Sequence, residues 1–252
     1  MKKLSVLSLA ALVCACTGQG GSDDTPCELA WGTDSVHVER PIAPGEALCY
    51  QVNIKLDTLQ GESPLAQQVN AMLRGDVLGT WRPSVHHALQ AFADSIDATW
   101  KQDLAEFYDA DDEYKDMYQY NLDVTGSAMD ETTEGVLSYE TRTDSYQGGA
   151  HGSYDIRYYN FDRKSGRQIA IDDVVPADKR EALLEQMKQK LCADNGVSSI
   201  TELQEQTCIT MLGDLYLTDN FLLKGDSIMF VFGQYEVAPY SVGIVLVTVP
   251  RP

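Results

Sequence analysis

The chain has 252 residues, of which 44% are hydrophobic, and a formal net charge of −19 at pH 7. The apolar fraction is ordinary for a globular protein, so the charge does not indicate a disordered chain. So acidic a surface repels nucleic acid and anionic lipid headgroups, and we exclude both as partners. The charge favours a basic partner, although it also keeps a protein soluble when there is no ligand.

The first sixteen residues have the pattern of an export signal. Two lysines follow Met1, and an apolar run extends from Leu4 to Val13. The run is shorter than the roughly 20 residues of a membrane-spanning helix, and it fits a secretory signal. Val13-Cys14-Ala15-Cys16 resembles the bacterial lipobox, in which a small residue directly precedes the lipidated cysteine. We therefore expect residues 1–16 to be a lipoprotein signal peptide and Cys16 to carry the lipid, the alternative being a plain signal peptide.

The lipid is then the only expected contact with a membrane. No later apolar run is long enough to cross a bilayer, and acyl chains on Cys16 would anchor the protein stably. We expect the cell envelope as the location, with the bacterial outer membrane preferred. Residues 17–26 are rich in glycine and polar residues and predict a flexible tether. Loss of the signal peptide removes two lysines and no acidic residue, so the formal charge becomes −21.

Four cysteines follow the anchor, and they predict disulfide bonds. An even number of cysteines in an oxidising compartment is typical of disulfides. Three pairings are possible, and we prefer the two local ones, Cys27–Cys49 and Cys192–Cys208. Each closes a short loop, which stabilises a fold by about 3 kcal/mol in the loop-entropy model. We expect no metal or other cofactor, because the cysteines and histidines lack zinc spacing and the acidic run Asp109–Asp116 lacks a calcium loop's glycine.

The first half of the chain predicts two strands followed by two helices. Alternation with a period of two predicts strands from Ser35 to Arg40 and from Tyr50 to Leu56. Ser63-Pro64 is typical of a helix start, and this helix is expected to close at Gly79. Ser84 caps a longer helix, whose apolar residues recur at helical spacing. They are Val85, Ala88, Leu89, Phe92, Ile96, Trp100, Leu104 and Phe107.

The second half predicts mainly strands, interrupted by two helices. The helices are expected at residues 177–192 and 199–208. Strands are expected at residues 118–126, 135–146, 154–161, 168–171, 220–223, 227–232 and 243–249. Consecutive strands without intervening helices favour an antiparallel meander. The last run, Gly-Ile-Val-Leu-Val-Thr-Val, is apolar on both faces and predicts a central strand.

Two segments combine glycines with aromatic side chains. In the turn Gly148-Gly149-Ala150-His151-Gly152, His151 could act as a general base that Asp144 or Asp155 orients. The preferred interpretation is structural, because glycines permit a tight connection and no nucleophile stands beside the histidine. The second segment, Tyr235 to Gly243, lies between two strands and could be a binding loop or a packed corner.

Together these segments resemble a known domain. The glycine-rich turn is followed by Tyr159-Asn160-Phe161-Asp162, and Tyr235-Glu236-Val237-Ala238-Pro239-Tyr240-Ser241-Val242-Gly243 comes near the end. Both are similar to the C-terminal domain shared by the RsiV-type anti-sigma factor and the PdaC-type peptidoglycan deacetylase. The resemblance implies an extracytoplasmic α+β fold and, from RsiV, direct recognition of lysozyme. This sequence has neither a sigma-binding segment nor a deacetylase domain, so neither of those activities is implied.

We therefore expect an α+β protein with antiparallel sheets, helices packed on one face, and two adjoining subdomains. Residues 27–147 are expected to form an N-terminal companion domain and residues 148–252 the RsiV/PdaC-like domain. We expect binding rather than catalysis, with a basic protein such as lysozyme as a possible partner. The candidate binding residues are His151, Tyr235, Glu236, Pro239 and Tyr240. The alternatives are a hydrolase of cell-wall or glycan material and a structural envelope lipoprotein without a ligand.

Overall fold

The computed structural model describes residues 29–129 and 133–252. The predicted signal peptide, the lipidation site Cys16, the tether and Cys27 lie outside the described residues. In the described part, no helix combines the length and the apolar composition that a membrane crossing requires.

The described residues form two β-sheets and five α-helices, so the predicted α+β class is confirmed. The strands are β1 (Trp31–Pro41), β2 (Cys49–Leu59), β3 (Asn121–Ala128), β4 (Val136–Tyr146), β5 (Ser153–Asp162), β6 (Phe221–Lys224), β7 (Ser227–Phe232) and β8 (Val245–Pro250). The helices are α1 (Pro64–Met72), α2 (Val85–Phe107), α3 (Ile171–Val174), α4 (Arg180–Asp194) and α5 (Ile200–Thr207). A π-helical turn, Leu73–Val77, continues α1.

The larger sheet has the order β1-β2-β3-β4-β5, and its buried face follows from residue alternation. On β2, Val52, Ile54 and Leu56 are buried, whereas Gln51 and Lys55, which alternate with these residues, face solvent. Helices α1 and α2 cover the apolar face. Their starts are the predicted ones, because the hydroxyls of Ser63 and Ser84 accept backbone N–H groups of the first turn.

One pair of strands departs from the antiparallel expectation. Strands β2 and β3 pair in parallel, while every other pair in the described sheets is antiparallel. A parallel pair needs a long crossover, and α1 and α2 between β2 and β3 provide it. Alternation within each strand carries no information on strand direction, so the sequence pattern predicted the strands and missed this pairing.

The smaller sheet has the order β6-β7-β8, which corrects the prediction that the last strand is central. Strand β8 lies at the edge, and its residues alternate between buried and exposed positions. Leu246 is 50% exposed, whereas Val245 and Val247 are buried beneath α4. The run is apolar on both faces, but only one of these faces is covered.

The strand predicted at residues 168–171 is not formed. Gln168 makes a single bridge to Phe161, and Ile171 already begins helix α3. Two carboxylates favour the helical turn, because Asp173 accepts the N–H of Ala170 at 2.9 Å and Asp219 accepts that of Ile171 at 3.0 Å.

Two hydrophobic cores meet along β4 and β5. The first core lies between the larger sheet and α1–α2, and it includes Tyr159 and Phe161 of β5. The second lies between the smaller sheet and α4–α5, and it includes Val136 of β4. The boundary expected between residues 147 and 148 falls in the connection of the β4–β5 hairpin, so the larger sheet extends across it.

The predicted disulfide between Cys192 and Cys208 is absent from the structure, in which both are free thiols. The side chain of Cys192 packs in the second core, and Cys208 ends α5 in the left-handed conformation. Cys49 forms no disulfide with any described residue, and its predicted partner Cys27 lies outside the described residues.

Candidate functional site

The two glycine- and tyrosine-containing segments meet in space. The turn at Gly148–Gly152 joins β4 to β5, and the segment Tyr235–Gly243 joins β7 to β8. The imidazole of His151 stacks on Tyr240, with ring centroids 3.7 Å apart and planes 16° apart. The Tyr235 ring lies 6.0 Å from that of Tyr240. Three of the five predicted binding residues therefore form one aromatic cluster.

Backbone conformation explains why glycines occur in both segments. Gly148 and Gly149 have φ angles of +83° and +85°, which side chains rarely permit. Gly243 has a φ of +79°, and a Cβ atom at this position would collide with the hydroxyl of Tyr154. The glycines thus let His151 project from its turn and let the Tyr235–Gly243 segment approach β5.

The contacts of His151 are structural. Its Nδ1 lies 3.0 Å from the carbonyl oxygen of Gly152, and its Nε2 lies 3.4 Å from the hydroxyl of Tyr235. A carbonyl can only accept, so Nδ1 donates, and in the neutral ring Nε2 accepts the tyrosine hydroxyl. Among the described residues no carboxylate hydrogen-bonds to His151, since Asp155 instead pairs with Arg157 at 2.8 Å. The alternative of a general base at His151 therefore lacks the carboxylate that would orient it.

A cavity of about 320 Å³ lies beside this cluster, between the start of β5 and the end of β7. Its lining includes Tyr154, Asp155, Arg157, Gln234 and Tyr235. The carboxamide oxygen of Gln234 accepts the backbone N–H of Tyr154 at 2.9 Å, which ties the two sides together. The carboxamide nitrogen of Gln234 is buried and has no hydrogen-bond partner among the described residues. A buried unpaired donor is costly, so this amide is a local source of instability beside the cavity.

Glu236, a predicted binding residue, stabilises the loop that contains it. One carboxylate oxygen accepts the N–H of Gly233 at 2.7 Å, and the other accepts the hydroxyl of Tyr216. The hydrogen bond to Glu236, followed by burial, raises the pKa of the Tyr216 hydroxyl. Pro239 is half-buried. Glu236 thus connects the predicted segment to another loop.

That other loop, residues 208–217, is the part of the site that the sequence patterns did not predict. The N–H of Leu212 donates to the carbonyl of Val237 at 3.2 Å, so the loop lies against the Tyr235–Gly243 segment. Met211, Leu212 and Tyr216 are 57%, 51% and 47% exposed. The loop has neither helical nor strand periodicity. A run of large apolar residues outside any periodic element is the signal that marks it.

We give the name aromatic surface to the exposed side chains of these three segments, together with half-buried Tyr240 and with Tyr154 at the start of β5. It consists of His151, Tyr154, Met211, Leu212, Tyr216, Tyr235 and Tyr240. Exposed apolar clusters on a folded protein commonly mark interaction sites. Tyrosine and methionine are enriched at the centres of such sites.

Backbone strain is concentrated in the same two loops. Among the described residues, the non-glycine residues with positive φ are Cys208, Thr210 and Tyr235, with φ between 61° and 64°. The conformation is especially unfavourable for a β-branched threonine, and strain of this kind often collects at ligand-binding segments. The surrounding contacts maintain it, since Gln204 donates to the carbonyl of Thr210 at 2.9 Å.

The C-terminal part of the chain is similar in sequence to a known protein family. Residues 172–252 match the sequence model of the family described as "Protein of unknown function (DUF3298)". The matched residues include the Tyr235–Gly243 segment, whereas the turn at Gly148 precedes them. No curated protein matches the chain.

Two solved structures share the fold over most of the chain. A DUF3298 family member from Bacteroides fragilis superposes with a TM-score of 0.72 at 24% identity, covering 88% of this chain and 91% of that one. A DUF3298 family protein from Pseudomonas aeruginosa superposes with a TM-score of 0.59 at 17% identity, with the same coverage. Residues 172–252 are therefore a DUF3298 domain, within a chain that has the α+β fold of these two proteins.

Proposed function

We propose that this protein is a lipid-anchored binding module of the cell envelope, and that its aromatic surface binds a basic protein. The observation that carries the proposal is the convergence of three separate segments on one exposed aromatic and aliphatic patch. The alternative of a structural lipoprotein without a ligand predicts neither a cleft nor such a patch. The alternative of a hydrolase needs a carboxylate on His151, and none of the described carboxylates occupies that position.

The charge of the chain supports a basic partner. Removal of the predicted signal peptide leaves a formal charge of −21. Two carboxylates, Asp155 and Glu236, also line the neighbouring cavity, where the single cation Arg157 pairs with Asp155. An apolar centre with a charged border is the usual organisation of a protein interface. The resemblance to RsiV suggests lysozyme, a basic protein, as the first partner to test.

We expect C-type lysozyme to bind the full-length protein, more weakly as salt increases. Electrostatic attraction speeds association, and counterions screen it over about 8 Å at physiological ionic strength. Tyr235→Ala should weaken binding about tenfold or more, because truncation of a hot-spot tyrosine typically costs about 2 kcal/mol. Calorimetric titration at low and moderate salt measures both effects.

Trp81→Ala is the matched control for this experiment. Trp81 is 75% exposed and lies outside the aromatic surface, so its removal should leave lysozyme binding unchanged. Failure of lysozyme to bind at either salt concentration would exclude it as the partner. Equal weakening by both substitutions would argue against the aromatic surface as the binding site.

The lipid anchor has its own test. In a bacterial host, labelled palmitate should be incorporated into the protein, and Cys16→Ser should abolish the incorporation because the lipidated position of the lipobox then has no thiol. Cys14→Ser should be labelled normally, since Val13 precedes Cys14 whereas the small Ala15 precedes Cys16. Labelling that persists in Cys16→Ser would contradict the proposed anchor.

A further inference from the structure

A second, larger cleft lies in the N-terminal half, away from the residues of the aromatic surface. Its volume is about 520 Å³, and it lies between the end of β2, helix α1 and the start of α2. The lining combines four side-chain amides with two hydroxyl groups. These are Gln60, Gln67, Gln68, Asn70, Thr58 and Ser84.

The cleft is nearly neutral although the chain is strongly acidic. Of thirteen lining residues, only Asp34 and Arg74 are charged. Both already have polar partners, because His86 Nδ1 lies 3.4 Å from the Asp34 carboxylate and Arg74 donates to backbone carbonyls. A charged ligand would find no unpaired opposite charge, and an apolar ligand would bury amides without partners. The lining therefore suits an uncharged ligand with many hydrogen-bonding groups.

The walls of the cleft are held rigidly. The amide of Asn70 donates to the carbonyl of Leu59 at 2.8 Å and accepts its N–H at 3.2 Å, which fixes α1 to the end of β2. Arg74 donates to the carbonyls of Arg82 and Pro83 at 2.9 and 3.2 Å, which fixes the chain before α2. A preformed cleft spends less binding free energy on ordering its own groups.

An exposed tryptophan, Trp81, lies two residues before the lining residue Pro83. The indole of Trp81 lies against Gly75, where a Cβ atom would come within 2.6 Å of the ring. Gly75 directly follows the cleft residue Arg74, in the π-helical turn Leu73–Val77. Turns of this kind often occur at functional sites. At 75% exposed, Trp81 presents a large flat apolar face next to two chain segments that line the polar cleft, at Arg74 and at Pro83.

We propose that this cleft binds an uncharged oligosaccharide. Sugar hydroxyls donate and accept hydrogen bonds, as do side-chain amides, so Gln68 can pair with them in either direction. The amide nitrogens of Gln60 and Gln67 already donate to the carbonyls of Thr58 and Glu62, and their oxygens can accept sugar hydroxyls. The apolar C–H face of a pyranose ring matches the exposed indole of Trp81. The combination of amides, near-neutral charge and an adjacent indole distinguishes this cleft from the charged cavity beside Tyr235.

The test uses the full-length chain in a zwitterionic detergent without sugar headgroups. Tetra-N-acetylchitotetraose and maltotetraose are titrated separately, with calorimetry and tryptophan fluorescence as readouts. We expect at least one of them to bind and to shift the emission. Trp81→Ala should weaken that binding about tenfold or more and remove the shift. Gly75→Ala should also weaken it, because the added methyl displaces the indole.

Tyr235→Ala is the control, and it should leave oligosaccharide binding unchanged. This result would separate the cleft from the aromatic surface, whatever the outcome of the lysozyme experiment. The proposal is overturned if neither sugar binds in the millimolar range, or if Trp81→Ala binds as tightly as the parent protein. Trp81 is exposed, so loss of folding is not expected, and melting curves of each variant verify this.

Discussion

Individual residues in this protein show how environment decides the role of a side chain. Glu236 and His151 are both polar residues in candidate binding segments, and either could have been a catalytic group. In the structure Glu236 satisfies a backbone N–H and a tyrosine hydroxyl, and His151 stacks on Tyr240. Their hydrogen-bonding capacity is used to hold the loops, which leaves the aromatic side chains as the exposed contact groups.

Tyr158 on β5 provides a pH-dependent prediction at this scale. Burial, followed by a 2.7 Å hydrogen bond to Glu140, raises its pKa to about 12. An unfolded tyrosine ionises near pH 10. Because the folded protein keeps the proton of Tyr158 to a higher pH than the unfolded chain does, the neutral hydroxyl stabilises the folded state. Its contribution is therefore present below about pH 10 and is lost as the pH rises towards 12.

Tyr158→Phe should be about 1 kcal/mol less stable at neutral pH, because a hydrogen bond is lost. Its stability should also decline less between pH 10 and 12 than that of the parent. Urea unfolding at several pH values measures both effects, and Tyr114→Phe, at an exposed position, is the control. An equally steep decline in Tyr158→Phe and the parent would contradict the assignment.

At the scale of the elements, two asparagines join the sheets. Strand β5 lies at the edge of the larger sheet, and the Asn220 side chain accepts the N–H of Tyr158 and donates to the carbonyl of Ile156. Asn160 is 1% exposed and donates to the carbonyl of Phe221 at 2.7 Å. Side-chain amides thus satisfy backbone groups at a free edge where another strand would otherwise be required.

Asn160→Ala should lower the free energy of unfolding by about 3 kcal/mol. The substitution leaves the hydroxyl of Ser138 and the carbonyl of Phe221 buried without their present partner. Asn121→Ala, at an exposed position on β3, should change the free energy of unfolding by less than about 0.5 kcal/mol. Urea denaturation of both variants tests this, and comparable losses would show that the buried amide has no special role.

At the scale of the whole molecule, the two cores share the β4–β5 hairpin. Tyr159 and Phe161 of β5 belong to the first core, whereas Val136 of β4 belongs to the second. Removing either half would expose apolar side chains of the other. The two solved structures likewise superpose over 88% of the chain and not only over residues 172–252.

A fragment of residues 148–252 should therefore fail to fold cooperatively. It retains β5 without β4, so Tyr159 and Phe161 lose the core that buries them. A shorter fragment of residues 163–252 omits β5 and keeps all of the second core except Val136, and it should aggregate less. Thermal melting followed by circular dichroism measures the cooperativity of folding in both fragments, and light scattering measures their aggregation. A cooperative, monomeric 148–252 fragment would contradict this account and support the boundary at residue 147.

The sequence by itself determined the class of the fold and most of its elements. Alternation predicted β1 and β2, and serines at positions 63 and 84 predicted the starts of two helices, because these signals depend on neighbours along the chain. The two glycine- and tyrosine-containing segments were also visible as candidates. Their glycines are required by local backbone conformation, which leaves a trace in the sequence.

Only the tertiary structure decided which segments meet. The parallel pairing of β2 with β3, the edge position of β8 and the loop at residues 208–217 beside Tyr235 all depend on contacts between distant residues. The same is true of the amide-lined cleft beside Trp81. Local periodicity reports which face of an element is apolar, and it contains no information on what covers that face. Packing supplies that information, and with it the two surfaces proposed as binding sites.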